Sequence, residues 1–271
     1  MPDPQRVERM NTRELRETFL LENLFLPGQI VLTYLDVDRG VIGSAVPTSG
    51  PLVLETDDAL RAAYFTERRE LGILNVGGRG TVTAAGKPYE MDNLDCLYIG
   101  RGCRDISFAS ADGKSPAQYY LVSYPAHATH PTTQAKKSQA AVLQLGSQAT
   151  CNQRSLYKYI HPAGIQSCQL VMGFTVLASG SAWNSVPPHT HMRRSEVYMY
   201  FDMPPEARVF HFMGLPQETR HFVIADRQAV VSPTWSIHCG AGTAGYSFCW
   251  AMGGENQVFD DMDPAPVASL R

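Results

Sequence analysis

The chain has 271 residues, 44% apolar and 18% charged, with 23 basic against 26 acidic side chains and a formal net charge of −3. Such a composition specifies a folded globule large enough for one big domain or two ordinary ones, and it leaves no electrostatic footprint for nucleic acid or an anionic membrane. No apolar run reaches the ~18 residues of a spanning helix, and the first ten residues lack the apolar core of a secretory signal, so the expected location is cytoplasmic.

Residues 1–10 read as a loose leader. Asn11 or Thr12 can cap a short helix that buries Leu15 and Phe19, four residues apart, and closes at Leu26-Pro-Gly. From Ile30 the texture changes to short apolar runs broken by Gly, Pro and Asp: 30–35, 41–46, 71–76, 81–84, 94–99, 106–109 and 118–123. Gly77–Gly80 and Ala85–Pro88 read as turns, and Thr56–Arg61 as a helical turn or two. Residues 126–153, rich in Thr, Ser, Gln, Lys and Ala, read as a surface connector, with His127 and His130 as solvated loop residues. Strand texture returns after Ser155, at 169–177, 196–201, 208–213, 221–224, 228–232 and 247–252. The acidic stretch after Gly254 reads as a strand followed by a loop. Many short strands with such turns specify an all-β sandwich or barrel. Six cysteines, at 96, 103, 151, 168, 239 and 249, show no Cys-x-x-Cys spacing and read as reduced thiols.

Chemistry concentrates in Pro187-Pro-His-Thr-His-Met-Arg-Arg-Ser-Glu196. His189 and His191, two apart, share one face of an extended strand. Glu196 heads a run of β-formers, and His238 follows a proline turn in Ser232-Pro-Thr-Trp-Ser-Ile-His238. Two imidazoles, a carboxylate and a third imidazole suit a borderline divalent metal. The pattern resembles the two metal-binding motifs of the cupin superfamily. Cys239 is expected to point away from a metal held by His238, as a packing residue.

A weak internal repeat links Phe65-Thr-Glu-Arg-Arg-Glu-Leu-Gly to Thr190-His-Met-Arg-Arg-Ser-Glu-Val-Tyr. Aligning the arginine pairs places Tyr64 and Thr66 where His189 and His191 stand, as in a duplicated barrel whose second copy alone keeps the metal ligands. The expected organisation is therefore a leader and helix over 1–28, a first barrel without metal ligands over 29–125, a connector over 126–155 and a metal-binding barrel over 156–271.

Five stretches carry a further resemblance: Phe65–Gly78, His189–Tyr198, Met213–His221, Ser232–His238 and Gly253–Asp263. They resemble the 5-keto-4-deoxyuronate isomerase family from about residue 12 to the C-terminus. The resemblance implies two cupin-type β-barrels, one Zn2+ per subunit held by His189, His191, Glu196 and His238, a homohexamer, and a sugar-acid ketol-isomerisation in pectin breakdown. For that chemistry the acid–base candidates are Glu218 and Tyr198, with Tyr200 on the same strand face. Arg193, Arg194 and Arg220 are candidates for the substrate carboxylate. His211 and His221 read as core residues. A 5-deoxyglucuronate isomerase, an iron-dependent cupin dioxygenase and a non-catalytic bicupin that binds a sugar acid remain as alternative functions.

Overall fold

The strands at the centre of the fold are buried at every position, as in Arg69–Asn75 and Arg194–Phe201. A strand covered on both faces needs a near-continuous apolar run rather than strict alternation, and these sequences supply it. The computed structural model describes every residue except Asn256, Phe259 and Asp260. The reading of the acidic stretch after Gly254 as strand and loop lies, at those three positions, outside the described residues. The chain forms two units: one of Met1–Glu22, Val142–Lys158 and Met172–Arg271, the other of Asn23–Ala141 and Tyr159–Val171.

The unit containing the C-terminal residues is built on a seven-stranded sheet in the order Leu20–Leu21, Ala229–Ser232, Arg194–Phe201, Ser247–Gly254, Val171–Leu177, Arg154–Ile160, Ala141–Leu145. A four-stranded sheet runs Trp183–Asn184, Cys239–Gly242, Val209–Leu215, Glu218–Ile224. The register is antiparallel and sets Glu196 beside Met252 on one side and Ser232 on the other. Gly173 matters here because a Cβ at that position would lie 2.4 Å from the Trp250 ring and 2.1 Å from the Tyr157 carbonyl. Only glycine lets the indole lie against the neighbouring strand.

The helix Thr12–Phe19 belongs to this unit. Asn11 accepts from the Glu14 N–H while Glu14 accepts from the Asn11 N–H, a capping box. Its apolar stripe buries Leu15 and Phe19, and Phe19 meets Phe222 at 6.4 Å between ring centroids. The helix ends well before Leu26 because Leu20 and Leu21 leave it to pair with Val230 and Ala229. The expected loose leader instead contains a helical turn, Pro4–Val7, capped by Asp3, with Val7 buried.

In the other unit a six-stranded sheet (Thr133–Ala135, Cys96–Ile99, Arg69–Asn75, Tyr119–Pro125, Val41–Ala45, Ile30–Tyr34) faces a four-stranded one (Leu52–Val53, Ser107–Ser110, Gly80–Ala84, Lys87–Met91). Their shared core joins Leu71, Ile73, Leu97 and Leu121 to Val82 and Phe108. Ala85 and Gly86, both at positive φ, form the tight hairpin turn between Gly80–Ala84 and Lys87–Met91. Glu70 is fully buried and accepts from the backbone N–H groups of Cys168, Gln169 and Leu170 at 2.7–2.9 Å and from the Tyr98 hydroxyl at 2.9 Å.

The all-β expectation holds. Among the described residues, however, the strand ladders form separate sheets, so neither expected barrel is closed by hydrogen bonds. The stretch read as connector lies at the surface but contains Thr133–Ala135 and Ala141–Leu145, each paired at a sheet edge. Thr133–Ala135 is too short and polar for an apolar-run criterion to find, whereas Ala141–Leu145 is apolar but lies exposed, with Val142 and Leu143 at the surface. All six cysteines are free thiols.

Replacing Glu70 with alanine leaves the buried Leu170 N–H, the half-buried Cys168 and Gln169 N–H groups and the buried Tyr98 hydroxyl without their acceptor. Each such loss costs roughly 1–3 kcal/mol, so urea unfolding should show a stability drop on the order of 3 kcal/mol or more. An unshifted midpoint would mean that water replaces the carboxylate.

Candidate metal centre

Three of the four converging side chains come from one turn into the central strand. His189 sits in the short strand His189–Thr190, which pairs with Asp263–Pro264. The chain then bends, with the Arg194 N–H donating to the His191 carbonyl at 3.3 Å, and enters Arg194–Phe201. The Nδ1–H of His191 donates back to the Arg194 carbonyl at 2.8 Å. A carbonyl can only accept, so this bond fixes the tautomer and leaves the Nε2 lone pair facing Glu196. His238 arrives from the other side. The turn Pro233–Ser236 closes at 3.0 Å, Ile237 donates to the Gly214 carbonyl at 3.0 Å, and Ser236 Oγ accepts from the Gly214 N–H at 2.9 Å. These bonds pin His238 at the head of Cys239–Gly242.

His191 Nε2 lies 3.0 Å from Glu196 Oε2, His238 Nε2 lies 2.9 Å from the same oxygen, and the Nε2 atoms of His238 and His189 are 3.1 Å apart. All four donor atoms lie within 4.8 Å of one another. Glu196, His191 and His238 are at most 4% exposed. Burial, and then the neighbouring His238, push the His189 imidazole down to about 3, so it is neutral at physiological pH. Burial opposes ionisation of Glu196, but His238 and His191 outweigh it and hold the carboxylate far below its ordinary range. The neutral imidazole of His189 and the ionised carboxylate of Glu196 are the forms in which these side chains bind divalent ions. Donors about 2.0–2.2 Å from one ion sit about 3 Å from each other, which matches the observed spacings. The residues therefore fit a metal, and the cluster could hold one.

His189 and Glu196 open onto a cavity of about 230 Å³. Its floor is one face of the seven-stranded sheet, with Glu196 and Tyr198 from one strand and Phe248, Trp250 and Met252 from the next. Tyr198 shares a hydrogen bond of 2.7 Å with Ser185 Oγ, and its ring lies 5.4 Å from that of His238. Burial, reinforced by Glu196, raises its phenol well above the ordinary value. Tyr200, two residues on, is fully buried and hydrogen-bonds His211 Nδ1 at 2.8 Å, outside the cavity lining. His211 is a buried core residue, pushed down to about 3 by that burial. His221, read as core, is exposed on the hairpin strand Glu218–Ile224.

The other expected site residues separate. Arg194 lines the cavity but its guanidinium reaches Met252 Sδ at 3.1 Å and Asp261 at 3.5 Å. Arg193 forms a two-pronged pair with Asp261, at 2.6 and 2.5 Å. Glu218 and Arg220 pair with each other at 2.6 Å on the exposed hairpin, and neither lines the cavity. They sit on the four-stranded sheet rather than on the seven-stranded sheet that floors the cavity, which sequence spacing alone does not reveal. Cys239 is buried against a different cavity, with its thiol pushed up to about 12 by burial. Tyr64 packs under Arg104, and Thr66 hydrogen-bonds the Cys103 carbonyl.

Arg154, Thr175, Ser185 and Trp250 are among the cavity residues that have no place in the sequence expectations. The alternation Arg154-x-Leu156 on a strand was the available signal for the first, but it sits at the end of the presumed connector.

Facing β-sheets with a three-histidine, one-glutamate cluster at the mouth of a cavity define a cupin-like protein with a metal-type site. The chain belongs to the KduI/IolB family, whose model matches residues 28–267. It is 52% identical over 268 residues to a protein of Halalkalibacterium halodurans, covering 99% of this chain and 97% of that one. It is also 52% identical over 271 residues to a protein of Kineococcus radiotolerans, with coverage of 99% and 97%. A protein of Opitutus terrae is 49% identical over 271 residues, covering 100% and 98%. All three are named 4-deoxy-L-threo-5-hexosulose-uronate ketol-isomerase, and at this full-length likeness the chain is an enzyme of the ketol-isomerase kind. Among solved structures, an IolB-like protein from Salmonella typhimurium LT2 superposes with a TM-score of 0.71 at 14% identity, covering 88% of this chain and 94% of that one. Protein Ylba from E. coli gives 0.61 at 15%, covering 95% and 99%. At such identities they establish the fold alone.

Elemental analysis should find about one divalent ion per purified chain and a loss of most of it in His191→Ala. Unchanged metal in that variant would remove these four residues as the ligand set.

Proposed function

We propose that this chain converts 5-dehydro-4-deoxy-D-glucuronate to 3-deoxy-D-glycero-2,5-hexodiulosonate, as a cytoplasmic step in pectin-derived uronate breakdown. The observation that carries this reading is the histidine–glutamate cluster opening onto a cavity that Tyr198 also lines, in a chain whose full-length relatives bear the ketol-isomerase name. A divalent ion held by His189, His191, Glu196 and His238, zinc by the imidazole-rich donor set, would supply Lewis-acid stabilisation of negative charge on the substrate's C1 and C2 oxygens.

The reaction moves one hydrogen from C2 to C1 and one from the C2 hydroxyl to the C1 oxygen, with no net redox change. Tyr198 keeps its proton through the neutral range. It therefore serves as a hydrogen-bond donor to a substrate oxygen, with Ser185 Oγ at 2.7 Å positioned to donate to the phenol oxygen and orient it. Burial of Glu196, His191 and His238 keeps bulk water from the reacting end. Glu218, exposed and paired with Arg220, has no contact with the cavity through which to act as base. An iron-dependent dioxygenase would use the same ligand types; the relatives' name favours the isomerase. A homohexamer of such chains, each with a first barrel that carries no metal, completes the proposal and rests on the family resemblance.

In deuterium oxide, proton NMR should show label at the newly formed hydroxymethyl carbon, as an enediol route requires. Complete absence of label at partial conversion, with solvent access demonstrated separately, would establish a hydride shift instead. Tyr198→Phe should lower kcat by ~10²–10⁴-fold with metal content retained; a variant of unchanged kcat would dismiss the phenol from the chemistry.

A further inference from the structure

The arginines expected to meet a substrate carboxylate already have acidic partners: Arg193 and Arg194 share Asp261, and Arg220 has Glu218. Arg154 does not. It opens the strand Arg154–Ile160, is steadied by donating from Nη1 to the Asn152 carbonyl at 2.8 Å, and lines the cavity that contains His189 and Glu196. Among the described residues no carboxylate pairs with it, and burial holds its guanidinium below the ordinary value. Thr175, on the adjacent strand, lines the same cavity. Its side chain is 1% exposed, and its hydroxyl has no hydrogen-bond partner among the described residues. A buried hydroxyl without a partner is costly, and this one lines the cavity, where a bound group can supply its partner.

Sheet order gives the cavity a length. Between the strand of Glu196 and that of Arg154 lie Ser247–Gly254 and Val171–Leu177. Three inter-strand spacings amount to about 14 Å. An extended arginine side chain covers about 7 Å of this and an open six-carbon chain about 6 Å from end to end. We propose that Arg154 and Thr175 form a carboxylate subsite that takes the acid end of an open-chain six-carbon sugar acid and so delivers its opposite end to the histidine–glutamate cluster. The guanidinium supplies the fork for the carboxylate, and the Thr175 hydroxyl donates to one of its oxygens. The trapped acid end then registers C1 and C2, not C5, against the cluster. The identity of the sugar acid rests on the isomerase reading; the carboxylate preference rests on Arg154 and Thr175 alone.

The test compares the keto-deoxyuronate with its methyl ester on metal-loaded protein. The parent should prefer the acid by about 30-fold or more in kcat/KM, and Arg154→Ala should raise KM for the acid by a similar factor while bringing acid and ester level. Arg154→Lys should fall between, since it keeps the charge and loses the fork, and Thr175→Val should weaken the acid alone. Equal discrimination in parent and Arg154→Ala, with metal content and melting temperature preserved, overturns the subsite. If Arg154→Ala does not fold, Arg154→Lys and Thr175→Val decide by the same ratio. If the parent turns over neither compound, the isomerase reading fails. Calorimetric titration with galacturonate and its methyl ester then decides the subsite separately. Binding of the acid that disappears in Arg154→Lys or Arg154→Ala supports it, and no binding of the acid by the parent overturns it.

Discussion

Three imidazole nitrogens and a carboxylate oxygen, held within 4.8 Å of one another in the interior, are the constraint on which the site-bearing unit depends. Lone pairs at 2.9–3.1 Å repel unless a proton or a cation lies between them. The fold holds them there through backbone bonds. The His191–Arg194 turn fixes one imidazole, the Gly214 contacts of Ser236 and Ile237 fix another, and antiparallel pairing on both sides fixes the carboxylate. These supports come from separate rigid elements, which together hold the donors in place. This is how preorganised sites are kept within the tolerance that chemistry demands.

The same face of the sheet separates opposite charges along one cavity. The carboxylate of Glu196 lies at one end and an arginine without an acidic partner among the described residues at the other, with Trp250 and Thr175 on the strands between. Arg193 and Arg194 begin the central strand and look from sequence like an anion-binding pair. Structurally they anchor Asp261, and through it the segment leading to Asp263–Pro264 that pairs with His189. Their charge thus serves the position of a donor residue. Arginine in partly buried pairs commonly has this role, because its planar fork matches a carboxylate in a fixed orientation.

How much of this was legible in the sequence depends on whether the signal was local. His189, His191, Glu196 and His238 stand out because strand periodicity and a proline turn are local properties, and the structure brings those four together. The apolar runs located most central strands to within about two residues. The edges escaped: Thr133–Ala135 is short and half-buried, Ala141–Leu145 is a brief apolar run set among polar residues, and Arg154–Ile160 opens on two polar side chains. Arg154 escaped with them. Glu218 and Arg220 were misplaced for a different reason. Residue type can nominate an acid and a cation, but not which sheet their hairpin joins, and that is set by the long-range pairing of Val209–Leu215 with Cys239–Gly242. The helix end at Phe19 likewise follows from pairing with residues more than two hundred positions away.

Glu70 ties the order of synthesis to the order of folding. Its strand emerges early, yet the three N–H groups that its buried carboxylate accepts lie 98, 99 and 100 residues further along the chain. Until Leu170 has left the ribosome, that strand must either keep Glu70 in water or bury a charge lacking those donors, which is costly. The unit of Asn23–Ala141 and Tyr159–Val171 therefore gains these three bonds only once residues 168–170 have been made. A gene fragment ending at Ala141 encodes nearly all of its strands but not its last fastening, for which the early half of the nascent chain has to wait.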